Sequence, residues 1–317
     1  MKNNKVIITG PVSLKVIEEF KDKMSIKVWS DKKDYLMPLN CLYAEIGHYD
    51  AVINFSDIIV NEDFIAAAKK LKVIINATIG YDNLNLPLLT KHKIWAANAP
   101  GYFNYPVAEY IIACILSLLR KIPEADNFVR NNRWKTFEPG RWDGISFKNL
   151  TLGIVGLGAI GNDLRELAQA IGAKVIYYDP AVKHHAGWVP FENLISLSDI
   201  ISINIPLTDK TKNLFDKKVF NLMKEGAILV NTSRGGVVEQ TTLIEALVSE
   251  KLSGAIMDVF DNEPNVPDIL KSMKNVILTP HLAGGTKQAR EDCFRHSLQS
   301  VMEVFKGNPP LNPLNRI

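Results

Sequence analysis

Short runs of apolar, largely β-branched residues recur along the chain, separated by stretches whose apolar positions repeat every three or four residues. Residues 5–9, 51–54, 73–76 and 94–97 are of the first kind. Residues 13–20, opened by a serine cap at Ser13, and 62–70 are of the second. Strand and helix in alternation predict a parallel sheet with covering helices. The pattern breaks at the turn signal Asn98-Ala99-Pro100-Gly101, and a longer helix is expected from Pro106 to Arg120 with proline in its first turn. Residues 131–149, rich in Trp, Gly and charge and without a period, read as an irregular connection. From Thr151 the alternation restarts, with strands expected at 152–155, 174–178, 200–205, 227–231, 254–258 and 276–279 and helices notably at 162–171 and 241–250. Continuous apolar runs mark strands buried on both faces, as in a doubly wound α/β domain. A last helix is expected at 288–305, before a Pro-rich tail.

The run Gly156-Leu157-Gly158-Ala159-Ile160-Gly161 follows one of these strands and opens a helix. In that context the first glycine allows the tight turn, the second lets backbone approach a pyrophosphate, and the third lets helix pack on strand. Phosphates at the helix N-terminus meet unpaired N–H groups and a favourable dipole. The next strand ends in Asp179, where an acid hydrogen-bonds both ribose hydroxyls of NAD and repels the extra phosphate of NADP. No arginine follows Asp179, so NAD is the expected cofactor.

Length and composition add limits. A chain of 317 residues suggests two domains at roughly 150 residues each. Its net charge of +3 is too small to imply nucleic acid or a membrane surface as partner. Cys41, Cys114 and Cys293 are odd in number and far apart, which fits neither a disulfide framework nor a zinc site and points to a reducing compartment. Residues 1–10 hold no signal-peptide core, and the apolar run 110–119 is too short to span a bilayer, so a cytoplasmic protein is expected. His184-His185 have no carboxylate or cysteine at ligand spacing and read as a solvated loop, so no metal is expected.

Three polar groups fall at or just after expected strand ends, where ligands bind in open α/β sheets: Arg234, Glu263 and His281. Reduction of a keto acid needs a cation for the carboxylate and carbonyl, an imidazole to donate a proton, and a carboxylate to orient and charge that imidazole.

The glycine run, Asn231-Thr232-Ser233-Arg234-Gly235-Gly236, Asp258-Val259-Phe260-Asp261-Asn262-Glu263-Pro264 and Thr279-Pro280-His281-Leu282-Ala283-Gly284-Gly285, in this order, resemble the D-isomer-specific 2-hydroxyacid dehydrogenase family. Gly80-Tyr81-Asp82-Asn83, Asn98-Ala99-Pro100-Gly101, Val107-Ala108-Glu109 and Pro206-Leu207-Thr208 extend the resemblance from about residue 50 to the C-terminus. It implies two Rossmann-like doubly wound parallel-sheet domains, the NAD-binding domain (101–285) inserted in a substrate domain made of 1–100 and 286–317. The helix from Pro106 would be the hinge and the surface of a homodimer. The resemblance also implies that His281 is the acid in reduction and the base in oxidation, with Glu263 as its partner. Arg234 would hold the substrate carboxylate and carbonyl in a forked contact. The backbone N–H groups of Ile79 and Gly80 would hold the other side of the carboxylate. Thr232 and Asp258 would contact the nicotinamide end of the cofactor, Ile160 and Gly161 the pyrophosphate, and Pro206 and Gly284 further parts of it.

Within the family, Gln in place of Glu263 marks formate dehydrogenases, which this chain is not expected to be. Phe55, in the loop Asn54-Phe55-Ser56-Asp57, cannot pair a phosphate, and no regulatory domain is expected after residue 317. The loops at Phe55 and Ile79-Gly80 look closest to the glyoxylate/hydroxypyruvate reductase branch. Tyr102 and Phe103 would either line a small apolar pocket or pack the hinge. The segment 181–198 is shorter than the family usually has, and Asn204 stands where His is common. A short D-3-phosphoglycerate dehydrogenase and an NAD(H)-sensing binding protein are the alternative readings.

Overall fold

The computed structural model describes residues 4–31 and 33–317. They form two compact units, one running to Phe103 and resuming at Gly285–Ile317, the other Asn104–Gly284.

The first unit holds strands β1 (Lys5–Ile8), β2 (Ser25–Val28), β3 (Ala51–Asn54), β4 (Val73–Asn76) and β5 (Trp95–Asn98), all parallel, in the order β2-β1-β3-β4-β5. Strand periodicity sorts their side chains onto two faces. Val6, Ile8, Ile53 and Ile75 pack with Phe294, Leu298 and Val301 of the C-terminal helix Lys287–Phe305. Ile7, Val52, Ile74 and Ala96 pack on the other side with Leu42, Phe64 and Leu89. Burying each large aliphatic side chain contributes roughly 1.5–3 kcal/mol, and β3 and β4 are buried along their whole length.

The second unit holds β6 (Thr151–Val155), β7 (Lys174–Tyr178), β8 (Ile200–Ile203), β9 (Ala227–Asn231), β10 (Leu252–Met257) and β11 (Val276–Leu278), again all parallel, in the order β11-β10-β9-β8-β6-β7. Outside β7 a single parallel bridge joins Trp188 to Tyr177, so the short segment 181–198 supplies only a remnant of a further strand. The helix Asn104–Leu119 buries Val107, Ala108, Ile111, Ile115 and Leu119, a stripe at helical spacing, and packs on the helix Ala159–Ala170. In both sheets the chain reverses direction after its first two strands. This puts a topological switch point between β1 and β3 in one unit and between β6 and β8 in the other.

The doubly wound parallel architecture matches the expectation from sequence, with three local corrections. Ser25–Val28 is a strand that the hydrophobic pattern did not reveal, because it is a half-exposed edge. Residues 122–130 form a helix (Ile122–Arg130) not anticipated from the sequence, with Phe128 its one buried side chain. Ser13 does not cap with its side chain; the helix Leu14–Glu18 is so short that the Ser13 carbonyl meets the amides of Val16 and Ile17 instead. Among the described residues no helix is long and apolar enough to cross a membrane.

Candidate active site

The glycine run lies at the switch point of the second sheet. Gly156 has φ +94°, and a Cβ there would come within 2.6 Å of the Asn204 carbonyl at the end of β8. A Cβ at Gly161 would strike the Gly156 carbonyl at 2.2 Å, so these two glycines let loop and helix meet. Gly158 differs: a Cβ there would meet nothing within 4 Å, which leaves open space beside the start of the helix. The amides of Ala159, Ile160 and Gly161 have no acceptor among the described residues, as expected for a first helical turn. A glycine facing open space beside free amides fits the pyrophosphate of a dinucleotide.

Asp179 follows β7 as expected, and its carboxylate also organises the loop. Oδ2 accepts from the Leu157 amide at 3.0 Å, and Oδ1 accepts from Ala181 at 2.8 Å and Val182 at 3.0 Å. Its spare lone pairs leave it able to accept ribose hydroxyls. The Pro206 carbonyl accepts from Thr211 at 2.6 Å, and Thr232 and Gly284 are partly exposed.

The three groups singled out from the sequence come together in the second unit. His281 Nδ1 and Glu263 Oε2 lie 2.9 Å apart. The other carboxylate oxygen of Glu263 accepts from the Phe260 amide at 3.0 Å. A carboxylate only accepts, so Nδ1 carries a proton and Nε2 is the nitrogen free to exchange one. The His281 side chain is 51% exposed and that of Glu263 36%, so the pair is open to a ligand. The Glu263 hydrogen bond raises the pKa of the imidazole above the ordinary histidine value; burial opposes this, the charges of Glu263 and Asp258 add to it, and Arg234 subtracts. Burial pushes Glu263 up, but the bonds from His281 and the Phe260 amide and the charges of His281 and Arg234 outweigh it and hold the carboxyl below its ordinary value. Arg234 Nη1 donates to the Ser233 carbonyl at 2.8 Å.

One supporting group was not found from sequence, and a second serves differently from the expectation. Asn231, buried at the end of β9, donates to the Arg234 carbonyl at 3.0 Å and accepts from the Ser233 amide at 3.0 Å, which fixes the loop carrying the arginine. Asp258 was expected at the nicotinamide end, but its buried carboxylate is largely taken up within the chain. It accepts from the Thr279 hydroxyl at 2.6 Å and the amides of Leu282 at 2.8 Å and Ala283 at 2.9 Å. The His281 amide donates to the Asp258 carbonyl at 2.9 Å, and His281 itself has φ +51°. Asp258 therefore clamps the turn that carries the imidazole, and Tyr110 hydrogen-bonds Thr279 behind it.

A family model for the NAD binding domain of D-isomer specific 2-hydroxyacid dehydrogenases matches residues 112–283. The chain belongs to this family. The dehydrogenase is 37% identical to the glyoxylate reductase of Thermococcus litoralis, over 98% of this chain and 97% of that protein. It is 32% identical to the D-3-phosphoglycerate dehydrogenase of Archaeoglobus fulgidus, over 98% of this chain and 59% of that protein. A solved structure of a Thermus thermophilus protein superposes with a TM-score of 0.92 at 28% identity, covering 98% of this chain and 99% of that one. The protein is thus an NAD-dependent 2-hydroxyacid dehydrogenase of glyoxylate-reductase-like type.

In the first unit of the dehydrogenase, Phe55 lies beside Gly10 at the switch point, where a Cβ on the glycine would meet the ring at 2.5 Å. The Phe55 ring packs on Phe294 (centroids 5.1 Å apart), and the Arg290 guanidinium lies 5.9 Å from its centre. Tyr102 packs on His296 (centroids 5.4 Å apart) and, like Phe103, against the core of this unit, which favours the packing role over the pocket. Ile79 and Gly80 follow β4 and are partly exposed.

Proposed function

We propose that this dehydrogenase reduces a small 2-keto acid, glyoxylate or hydroxypyruvate, to its D-2-hydroxy acid. His281 delivers the proton to the carbonyl oxygen from Nε2, Glu263 holds the imidazole in its charged, correctly turned form, and Arg234 binds the carboxylate and polarises the carbonyl. NAD, when bound, supplies or takes up the hydride. The observation that carries the reading is the 2.9 Å His281–Glu263 contact, with the charge of Arg234 acting on both partners.

In this reading the first unit is the substrate domain and the second the NAD-binding domain. The Ile79 and Gly80 amides bind the carboxylate, and Phe55 meets the rest of the acid. The guanidinium of Arg290 beside that ring adds a donor for a C3 hydroxyl and favours hydroxypyruvate. Gly156, Gly158, Ile160 and Gly161 receive the pyrophosphate and Asp179 the adenine ribose. Pro206, Thr232 and Gly284 meet the remainder of the cofactor, while Asp258, fully buried, acts through the turn it clamps.

The pH profile tests the acid–base pair. Reduction needs the imidazolium, so kcat/KM for the keto acid is high below the raised pKa of His281 and falls as pH rises through it. Glu263→Gln removes the main cause of the raised value and moves this fall to lower pH. An unmoved profile would contradict the pairing.

We also propose a homodimer. Ile122, Val129, Trp134, Phe137 and Ile145, all more than half exposed, give the second unit an apolar stretch typical of an association surface. Sedimentation at twice the 35.4 kDa chain mass is expected, and a monomer at micromolar concentration would contradict it.

A further inference from the structure

Strands β3, β4 and β5 each end in asparagine, and the strand register sets Asn54 beside Asn76 and Asn76 beside Asn98. All three are buried, where an amide must find partners. Asn54 Nδ2 donates to Asn76 Oδ1 at 2.9 Å, and its Oδ1 accepts from the Ser56 amide at 2.7 Å. Asn76 Nδ2 donates to the Gly80 carbonyl at 2.9 Å and to Asn83 Oδ1 at 2.7 Å. Asn98 Nδ2 donates to the Ile79 carbonyl at 2.7 Å. The next carbonyl upstream, that of Thr78, accepts from the Ala99 amide at 3.0 Å.

Three successive carbonyls, those of Thr78, Ile79 and Gly80, are thus held by the ends of the sheet. A trans peptide is planar, with its N–H opposite its C=O. Holding the Thr78 and Ile79 carbonyls therefore turns the N–H groups of Ile79 and Gly80 away from the sheet. Neither N–H has an acceptor among the described residues. Adjacent N–H groups on one side of the chain form a concavity for an anion.

We propose that Asn98 and Asn76, braced by Asn54, are positioning residues that fix the Ile79 and Gly80 amides toward the substrate carboxylate. This rests on the reading that those amides bind the carboxylate. Asparagine suits the task because it donates to a carbonyl and accepts from a neighbour at once. Aspartate has no donor and would place a negative charge under the anion, whereas leucine would leave the carbonyl unpaired and the peptide free to turn.

The test uses the full-length protein with NADH, and Asn98→Leu with the milder Thr78→Val, whose hydroxyl donates to the Gly80 carbonyl at 3.1 Å. Asn98→Leu is expected to raise KM for glyoxylate and the Kd of oxamate about 10- to 100-fold, and Thr78→Val about threefold, with kcat and the Kd of NADH nearly unchanged. In protein labelled with 15N-isoleucine and 15N-glycine, oxamate is expected to shift the Ile79 and Gly80 amide resonances of the wild type and not those of Asn98→Leu. A merely structural asparagine would lower kcat and thermal stability and leave KM and these resonances as they were, and that result overturns the proposal. If Asn98→Leu does not fold, an unchanged KM in Thr78→Val overturns it equally. Failure of the wild type to reduce any keto acid strikes instead at the proposed reaction, and the resonances still judge the ladder.

Discussion

His281→Asn is expected to lower kcat for keto-acid reduction by about 10²- to 10⁴-fold, the range that a positioned acid supplies. Asparagine suits the test because position 281 has φ +51°, a conformation it adopts more readily than most residues. The turn also keeps its main anchors in the variant, since the Asp258 bonds run to the backbone amides of His281, Leu282 and Ala283. A fall in rate with unchanged NADH affinity and thermal midpoint therefore reports the proton and not the fold. The residual rate should also lose its dependence on the imidazole. Stopped-flow measurement of NADH oxidation reads both, and activity within tenfold of the wild type would remove His281 from the chemistry.

Arg234→Lys is expected to cost about 10³-fold in kcat/KM, about 4 kcal/mol of transition-state stabilisation. Lysine keeps the charge, so a purely electrostatic role would survive the change. What it lacks is the planar fork that reaches a carboxylate and a carbonyl together. The surroundings are built for the fork: Asn231 holds the backbone of the loop, and the Ser233 carbonyl holds one guanidinium nitrogen. Steady-state kinetics should show kcat falling as well as KM rising, because the polarised carbonyl matters most in the transition state. Lysine activity near that of arginine would mean that position 234 contributes charge alone.

The features legible in the sequence are those whose signal is local. The glycine run announces itself because turn, close packing and open cradle each need a glycine at a fixed spacing, and Gly156, Gly161 and Gly158 answer to the three needs in turn. Strands β3, β4 and β9 are legible because burial on both faces leaves an unbroken apolar run up to the closing asparagine. Arg234, Glu263 and His281 are legible through the motifs around them. Strand β2 is not, since four residues with no fully buried side chain are too few for their alternation to stand out. Nor is the asparagine ladder, because its meaning lies in register. Asn54, Asn76 and Asn98 become neighbours only when three strands align, and the one hint in the chain is that three short apolar runs all end in the same residue. The loop-holding role of Asp258 and Asp179 is hidden for a similar reason: their carboxylate oxygens accept from amides brought close only by the folded loops.

As an NAD-dependent 2-hydroxyacid dehydrogenase the chain transfers hydride between NAD(H) and a 2-hydroxy acid. The most direct test is NADH oxidation at 340 nm with glyoxylate, hydroxypyruvate, pyruvate, 2-ketoisocaproate and phosphohydroxypyruvate, repeated with NADPH and with chiral analysis of the product. Turnover led by hydroxypyruvate and glyoxylate is expected, with preference for NADH and a D-configured product wherever the product is chiral. Tight NADH binding without turnover of any of these acids would contradict this expectation and favour a binding role for the same fold.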